Sequence, residues 1–363
     1  MPFTTCAMVR EAGTGFELVE AWIDDPKADD VLVRIEAAGM CHADLAARDG
    51  DFPVPLPAVL GHEGAGTVVA TGPAAEGVQP GDRVVITFDS CGRCSRCRAG
   101  LPSQCARFLP LNFTGGRARL HVGTSPVHNG FFGQASFSQL ALANAGNVVP
   151  VKTELPWSSL APLGCGVATG FGAATTVLRP SPGDAVAIFG LGAVGLSALM
   201  ALTLCPIGTL IAVDVHASRL ALAAELGATQ TIDASVGDVA EVIRAATGSG
   251  VAGAIECSGD TTALTQAIAA TATGGTTVIV GAPPFGRTAD LDVADLVNGS
   301  KRVVGSATGA SLPRERIPTL VRLVESGRLP VSRLVTEFAL ADINAAAAAM
   351  RSGAAIKPVL LTR

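Results

Sequence analysis

Four cysteines crowd one short stretch: Cys91, Cys94, Cys97 and Cys105, separated by two, two and seven residues. Thiolates at that spacing close a tetrahedron around zinc. With every corner filled by protein, such a site is structural, because no position remains for water or substrate. Arg93, Arg96 and Arg98 offset part of a tetrathiolate's charge. Disulfides are the competing reading, but the crowding of the cysteines points to a metal in a reducing compartment. A second set is dispersed: Cys41-His42-Ala43-Asp44, Gly61-His62-Glu63 and Pro162-Leu163-Gly164-Cys165-Gly166. Thiolate and imidazole suit zinc, yet a lone buried Cys or His more often packs than ligates, so each residue alone is ambiguous.

A third pattern suits a dinucleotide. In Ala185-Val-Ala-Ile-Phe-Gly190-Leu-Gly192-Ala-Val-Gly195, a G-x-G-x-x-G run sits between an apolar strand and a helix. Gly190 permits the tight turn, Gly192 lets the backbone approach a pyrophosphate, and Gly195 allows close packing, while the helix start offers free N–H groups. Asp214 follows Gly195 by nineteen residues, at the end of the next predicted strand. There a carboxylate accepts from the adenosine ribose hydroxyls and repels a 2′-phosphate, which favours NAD over NADP, with nearby Arg219 softening the choice.

These residues need two kinds of scaffold. From Met1 to Gly166 the signals are short alternating strands, such as Val31–Ile35 and Gly66–Ala70, between Gly, Pro and Asp turns. The expected domains are therefore a β-rich lobe over 1–166, to which 308–363 returns, and a doubly wound parallel α/β lobe over 167–307. Strands are predicted at Ala185–Gly190, Thr209–Val215, Thr229–Asp233, Val251–Glu256, Thr276–Gly281 and Lys301–Ser306, enough for two mononucleotide-binding halves. The tail carries the segment Ile317–Ser326 and a final strand Ile356–Leu361.

A formal net charge of −5 without a run of Lys or Arg argues against nucleic-acid and membrane partners. No stretch offers about 18 unbroken apolar residues, and Met1–Thr5 lacks a secretory pattern. The expectation is a cytoplasmic protein.

The phrases GMCHAD (39–44), LPAVLGHEGAGTV (56–68), PGDRVV (80–85), the four-cysteine loop, CGVATGFGA (165–173), GLGAVG (190–195) and VGAPP (280–284) occur in this order. Over nearly the whole chain they resemble the medium-chain zinc alcohol dehydrogenase family, with a GroES-like catalytic domain and a Rossmann domain. Pro110-Leu111-Asn112-Phe113 and Gly130-Phe131-Phe132-Gly133 are most similar to its aryl or benzyl alcohol branch. The resemblance implies two zinc ions and NAD. It implies that Cys41, His62 and Cys165 hold a catalytic zinc, leaving its fourth position open, that Asp44 hydrogen-bonds His62, and that Glu63 sits behind the metal. It also implies nicotinamide contacts from Thr169, Val194 and Val280, pyrophosphate contacts from His42 and Lys357, and a substrate pocket lined by Ala43, Phe52, Phe88, Phe131 and Ala282. A homodimer or homotetramer joined near Thr276–Gly281 and Lys301–Ser306 is implied as well.

The activity so implied is hydride transfer between NAD and a primary alcohol or aldehyde, aromatic, allylic or terpenoid. One departure matters. The family's usual relay hydroxyl is replaced by Ala43, and a His found in some members by Ala46, and no methyl group passes a proton. Water, a ribose hydroxyl or His42 must then serve. The alternative is a zinc-containing reductase of an activated C=C or C=N bond, and further behind stands a non-catalytic cofactor-binding protein.

Overall fold

The computed structural model describes residues 1–115 and 118–362. It divides into two compact units, Met1–Gly166 with Leu312–Arg363, and Val167–Ser311.

The first unit is built on two antiparallel-rich sheets. Its larger sheet is centred on the strand Asp30–Gly39, whose Val31, Val33 and Ile35 are buried. That strand pairs antiparallel with Glu63–Thr71, and the register ends with Gly39 opposite Glu63. The C-terminal strand Lys357–Leu361 pairs with the same strand's end, placing Val359 opposite Gly39. Three remote pieces of sequence thus meet at one end of one sheet: the residues that follow Gly39, those that precede and begin at Glu63, and Lys357. The tail reaches this sheet through the helices Pro313–Glu325 and Ile343–Ser352. Its position in the sheet explains why residues more than 290 apart in sequence become neighbours.

The second unit is a six-stranded parallel sheet. Numbered by sequence within the unit, its strands lie in the order 3-2-1-4-5-6, a doubly wound sheet whose order reverses between Ala185–Phe189 and Val251–Glu256. Ligands of such sheets bind outside the carboxyl ends of the strands at that reversal. Near-continuous apolar runs mark strands covered on both faces, and Val186, Ala187, Ile188 and Phe189 are all buried. The fifth strand begins at Thr271 rather than Thr276. The strand pairing passes through Gly274 and Gly275 as an irregularity, with Thr271 opposite Val251 and Thr276 opposite Gly253. Among the described residues no single helix is long and apolar enough to cross a membrane.

Candidate active site

Cys41 caps the helix His42–Asp49 just past the end of the central strand of the larger sheet. Asp44, in the first turn, is fully buried, and its carboxylate ties its own helix start to the segment Gly61-His62. Oδ2 accepts from Cys41 N at 2.8 Å, and Oδ1 accepts from Gly61 N at 3.0 Å and lies 3.0 Å from His62 Nδ1. Because a carboxylate only accepts, Nδ1 is the donor and Nε2 is directed elsewhere. His62 Nε2 is buried and has no hydrogen-bond partner. Around it the ligand atoms of Cys41, Glu63 and Cys165 all lie within 4.8 Å of one another and of His62. An orphaned imidazole nitrogen among two sulfurs fits zinc, whose ligand preferences are thiolate and imidazole.

The charges of this cluster are tightly linked. Burial pulls His62 down, yet the Asp44 carboxylate and the Cys41 thiolate outweigh it, and the imidazole is pushed up to about 10. A hydrogen bond from the Cys165 thiol, and after it the Lys357 ammonium, hold the Cys41 thiol well below its ordinary value despite burial, while the same bond raises Cys165. Burial lifts Glu63 to about 7. Lys357 Nζ donates to both Glu63 oxygens and to Met40 O, each at 2.9 Å, and Gly166 N donates to Glu63 Oε1 at 2.9 Å. Lys357 is only 2% exposed, and within this unit these three acceptors take its three donors.

Aromatic rings wall the cluster. The ring of Phe132 stacks on His62 with centroids 4.4 Å apart, and Phe131 meets the imidazole edge-on at 5.4 Å. Phe113 packs on both Phe132 and Phe52, and Phe108 on Phe88. Of the expected pocket residues, Ala43, Phe52 and Phe88 keep some surface. Phe131 is fully buried against the edge of the imidazole, and Phe132, though buried, is 6% exposed. Ala282 lies in the second unit, on the exposed loop after the fifth strand, and Ala46 is buried in the helix that begins at His42. His42 is exposed.

In the cysteine loop, Cys91, Cys94, Cys97 and Cys105 offer four sulfurs within 4.8 Å of one another. The Cys91–Cys97 and Cys94–Cys97 sulfurs stand 3.9 and 3.5 Å apart. That is close to the ~3.8 Å edge of a tetrahedron with Zn–S bonds of about 2.3 Å, and all nine cysteines are free. Backbone N–H groups of Ala106 and Cys97 draw the Cys94 thiol down to about 6. Further N–H groups point at Cys91 from Cys94 and at Cys105 from Arg107. Burial and the neighbouring thiols instead push Cys97 up to about 12, so without metal the loop favours thiolates at Cys91 and Cys94.

In the second unit Gly190 has φ of 87°, and a Cβ on Gly195 would stand 1.9 Å from Gly190 O, whereas one on Gly192 would meet nothing. The space a side chain would fill is left open at the start of the helix Ala193–Leu202, which Gly192 caps, as a pyrophosphate requires. Asp214 accepts from Leu191 N at 2.6 Å and His216 N at 2.8 Å, with Arg219 3.8 Å away. Its carboxylate therefore also anchors the glycine turn. The helix Gly166–Gly172, carrying Thr169, packs closely on the backbone of Val194. Val280 N donates to Glu256 O at 2.8 Å, at the ends of the fourth and fifth strands.

Residues 27–153 match the family described as the alcohol dehydrogenase GroES-like domain, and residues 193–326 that described as zinc-binding dehydrogenase. Geraniol dehydrogenase of Castellaniella defragrans is 42% identical over 98% of this chain and 96% of its own. The chain belongs to the zinc-dependent alcohol dehydrogenases. Benzyl alcohol dehydrogenase from Acinetobacter calcoaceticus shares 40% identity and superposes with a TM-score of 0.96 over all of both chains. A zinc-binding dehydrogenase from Sinorhizobium meliloti, solved with NADP, is 27% identical with a TM-score of 0.82 over all of both chains. The protein is thus a zinc-dependent oxidoreductase acting on alcohols with a nicotinamide cofactor.

Some residues of this alcohol dehydrogenase site carry no signal in sequence spacing. The Phe-Phe pair at 131–132 was visible, but not which ring would stack on His62. Gln134 was invisible as a site residue. Its buried amide donates to His62 O at 2.9 Å and Thr87 O at 3.2 Å, while its oxygen accepts from Gly64 N at 3.0 Å.

Proposed function

We propose that this dehydrogenase interconverts primary aromatic, allylic or terpenoid alcohols and their aldehydes, with Cys41, His62 and Cys165 holding the catalytic zinc and NAD as the preferred cofactor. The observation that carries the reading is His62 Nε2, buried without a partner among the Cys41 and Cys165 sulfurs. When bound, zinc supplies Lewis-acid polarisation of the alcohol or carbonyl oxygen, and the nicotinamide exchanges the hydride. The chain's own part is to orient and to exclude water. Asp44 sets the His62 tautomer, Lys357 neutralises Glu63 beneath the cluster, and Phe52, Phe113 and Phe132 give the substrate side apolar, planar walls that favour an unsaturated or aromatic carbon skeleton. Asp214 supports NAD over NADP, and Cys91, Cys94, Cys97 and Cys105 hold the structural zinc.

Ala43 and Ala46 favour a second reading, the reduction of an activated C=C or C=N bond, which needs no relay from those positions. One screen separates the two: following nicotinamide absorbance with aryl, terpenoid and short aliphatic alcohols, their aldehydes, and conjugated enals, using both cofactors. Turnover of aryl or terpenoid alcohols with NAD supports the first reading; turnover of enals alone, at the double bond, replaces it. Ala43→Thr is expected to speed alcohol oxidation about two- to threefold at low pH, checked by the pH profile of kcat.

A homo-oligomer joined through the sheet edge is supported by the terminal strand Arg302–Gly305 and by the helix Val293–Asn298. Val304, Val293 and Val297 are all exposed. Light scattering reads the state directly. Cytoplasmic residence is supported by cysteine clusters that must stay reduced to hold metal.

A further inference from the structure

Phe132 has a left-handed backbone, φ 49° and ψ 29°, a conformation disfavoured for any residue with a Cβ. Its ring lies on the imidazole of His62 with planes 21° from parallel, while the ring of Phe131 stands at 88° to the same imidazole. Successive side chains of an extended segment point to opposite faces. Two consecutive rings reach one imidazole here because the chain turns at Phe132. That turn is held on both sides: Gly133 N donates to Gly130 O at 2.8 Å and Gln134 N to Phe131 O at 3.1 Å, and the Asn147 amide reaches Phe132 O and Gly133 O at 3.4 Å.

The bond to Asp44 does not by itself aim Nε2. The second side-chain torsion of histidine is broad, and a hydrogen bond at Nδ1 tolerates tens of degrees of misalignment, so the far nitrogen can swing while Nδ1 stays bonded. A face laid on the ring and an edge set against it remove that freedom. We infer that Phe132 is a positioning residue for His62: its ring fixes the plane of the imidazole and therefore the direction in which Nε2 meets a metal. This rests on the proposed role of His62 as a ligand.

The test compares wild type, Phe132→Leu and Phe132→Tyr, each loaded with zinc and, separately, with cobalt(II). The leucine variant is expected to lose metal from the Cys41/His62/Cys165 site to a chelator about tenfold faster, with an altered cobalt ligand-field spectrum. Its kcat should fall about tenfold with KM for NAD unchanged, while release from the four-cysteine loop serves as the internal control. The tyrosine variant keeps the ring and should retain wild-type metal release and cobalt spectrum. Should the leucine variant not fold, Phe132→Met, unbranched and adaptable, carries the same expectation. Wild-type release and an unaltered cobalt spectrum in the leucine or methionine variant, even with lowered thermal stability, would reduce Phe132 to packing and overturn the inference. Wild-type protein that takes up only the loop metal would overturn the proposed function and this inference together, an outcome distinct from a variant that retains metal normally.

Discussion

The two cysteine clusters of this dehydrogenase are built on opposite plans. The loop cluster draws four sulfurs from fifteen residues of chain, remains partly exposed, and supports its thiolates with its own backbone N–H groups. The dispersed cluster gathers Cys41, His62 and Cys165 from three segments, is buried around His62, and leans on Asp44, Glu63, Lys357 and aromatic rings. The difference teaches what each is for. A local site needs only its loop to close, so its metal staples that loop; a site assembled from a sheet end has a shape that the fold sets before any metal arrives.

Each plan can be attacked separately. His62→Ala is expected to lower kcat/KM by about 10³-fold, since several kcal/mol of transition-state stabilisation depend on the metal it holds; zinc analysis should then find one metal per chain in a folded protein. If instead both metals remain, the dispersed cluster is not a zinc site. Asp44→Asn is expected to weaken metal affinity at this site by about 10- to 100-fold while sparing the loop, measured by competition with a chromophoric chelator. Equal losses at both sites would erase the contrast.

Acid should discriminate as well. Without metal His62 keeps its proton up to about pH 10, so a metal must displace it, and affinity at this site falls as pH falls below that value. The expected slope is about tenfold per pH unit for each proton displaced, read by metal titration across a pH series. A flat profile would mean that His62 is not a ligand. The smallest effect is reserved for the loop: Cys97→Ser should lower the thermal midpoint by roughly 5–10 °C and remove one zinc, with hydride transfer by the remaining folded protein little changed.

The clusters also differ in how far the sequence revealed them. Cys91, Cys94, Cys97 and Cys105 are legible because ligand spacing along a loop is itself the geometry. The glycine turn and Asp214 are legible for the same reason, since strand, turn and helix follow one another directly. Cys41, His62 and Cys165 gained meaning only through family resemblance, because their meeting depends on the register that sets Gly39 opposite Glu63. The contact of Lys357 with Glu63 escaped for a related reason. Lys357 opens the strand Lys357–Leu361, whose pairing beside Gly39 no local pattern announces, so its burial against Glu63 stayed hidden. Phe132 escaped because a left-handed turn, not periodicity, decides where its ring goes.

Gln134 gives the dispersed cluster a tie of another sort. Through a single amide it bridges His62 O, Thr87 O and Gly64 N, stitching together the ends of the paired strands Glu63–Thr71 and Arg83–Ile86 without recourse to any ion. Emptied protein should consequently keep its mould, and reconstitution becomes a matter of diffusion into a finished socket rather than of refolding around the guest.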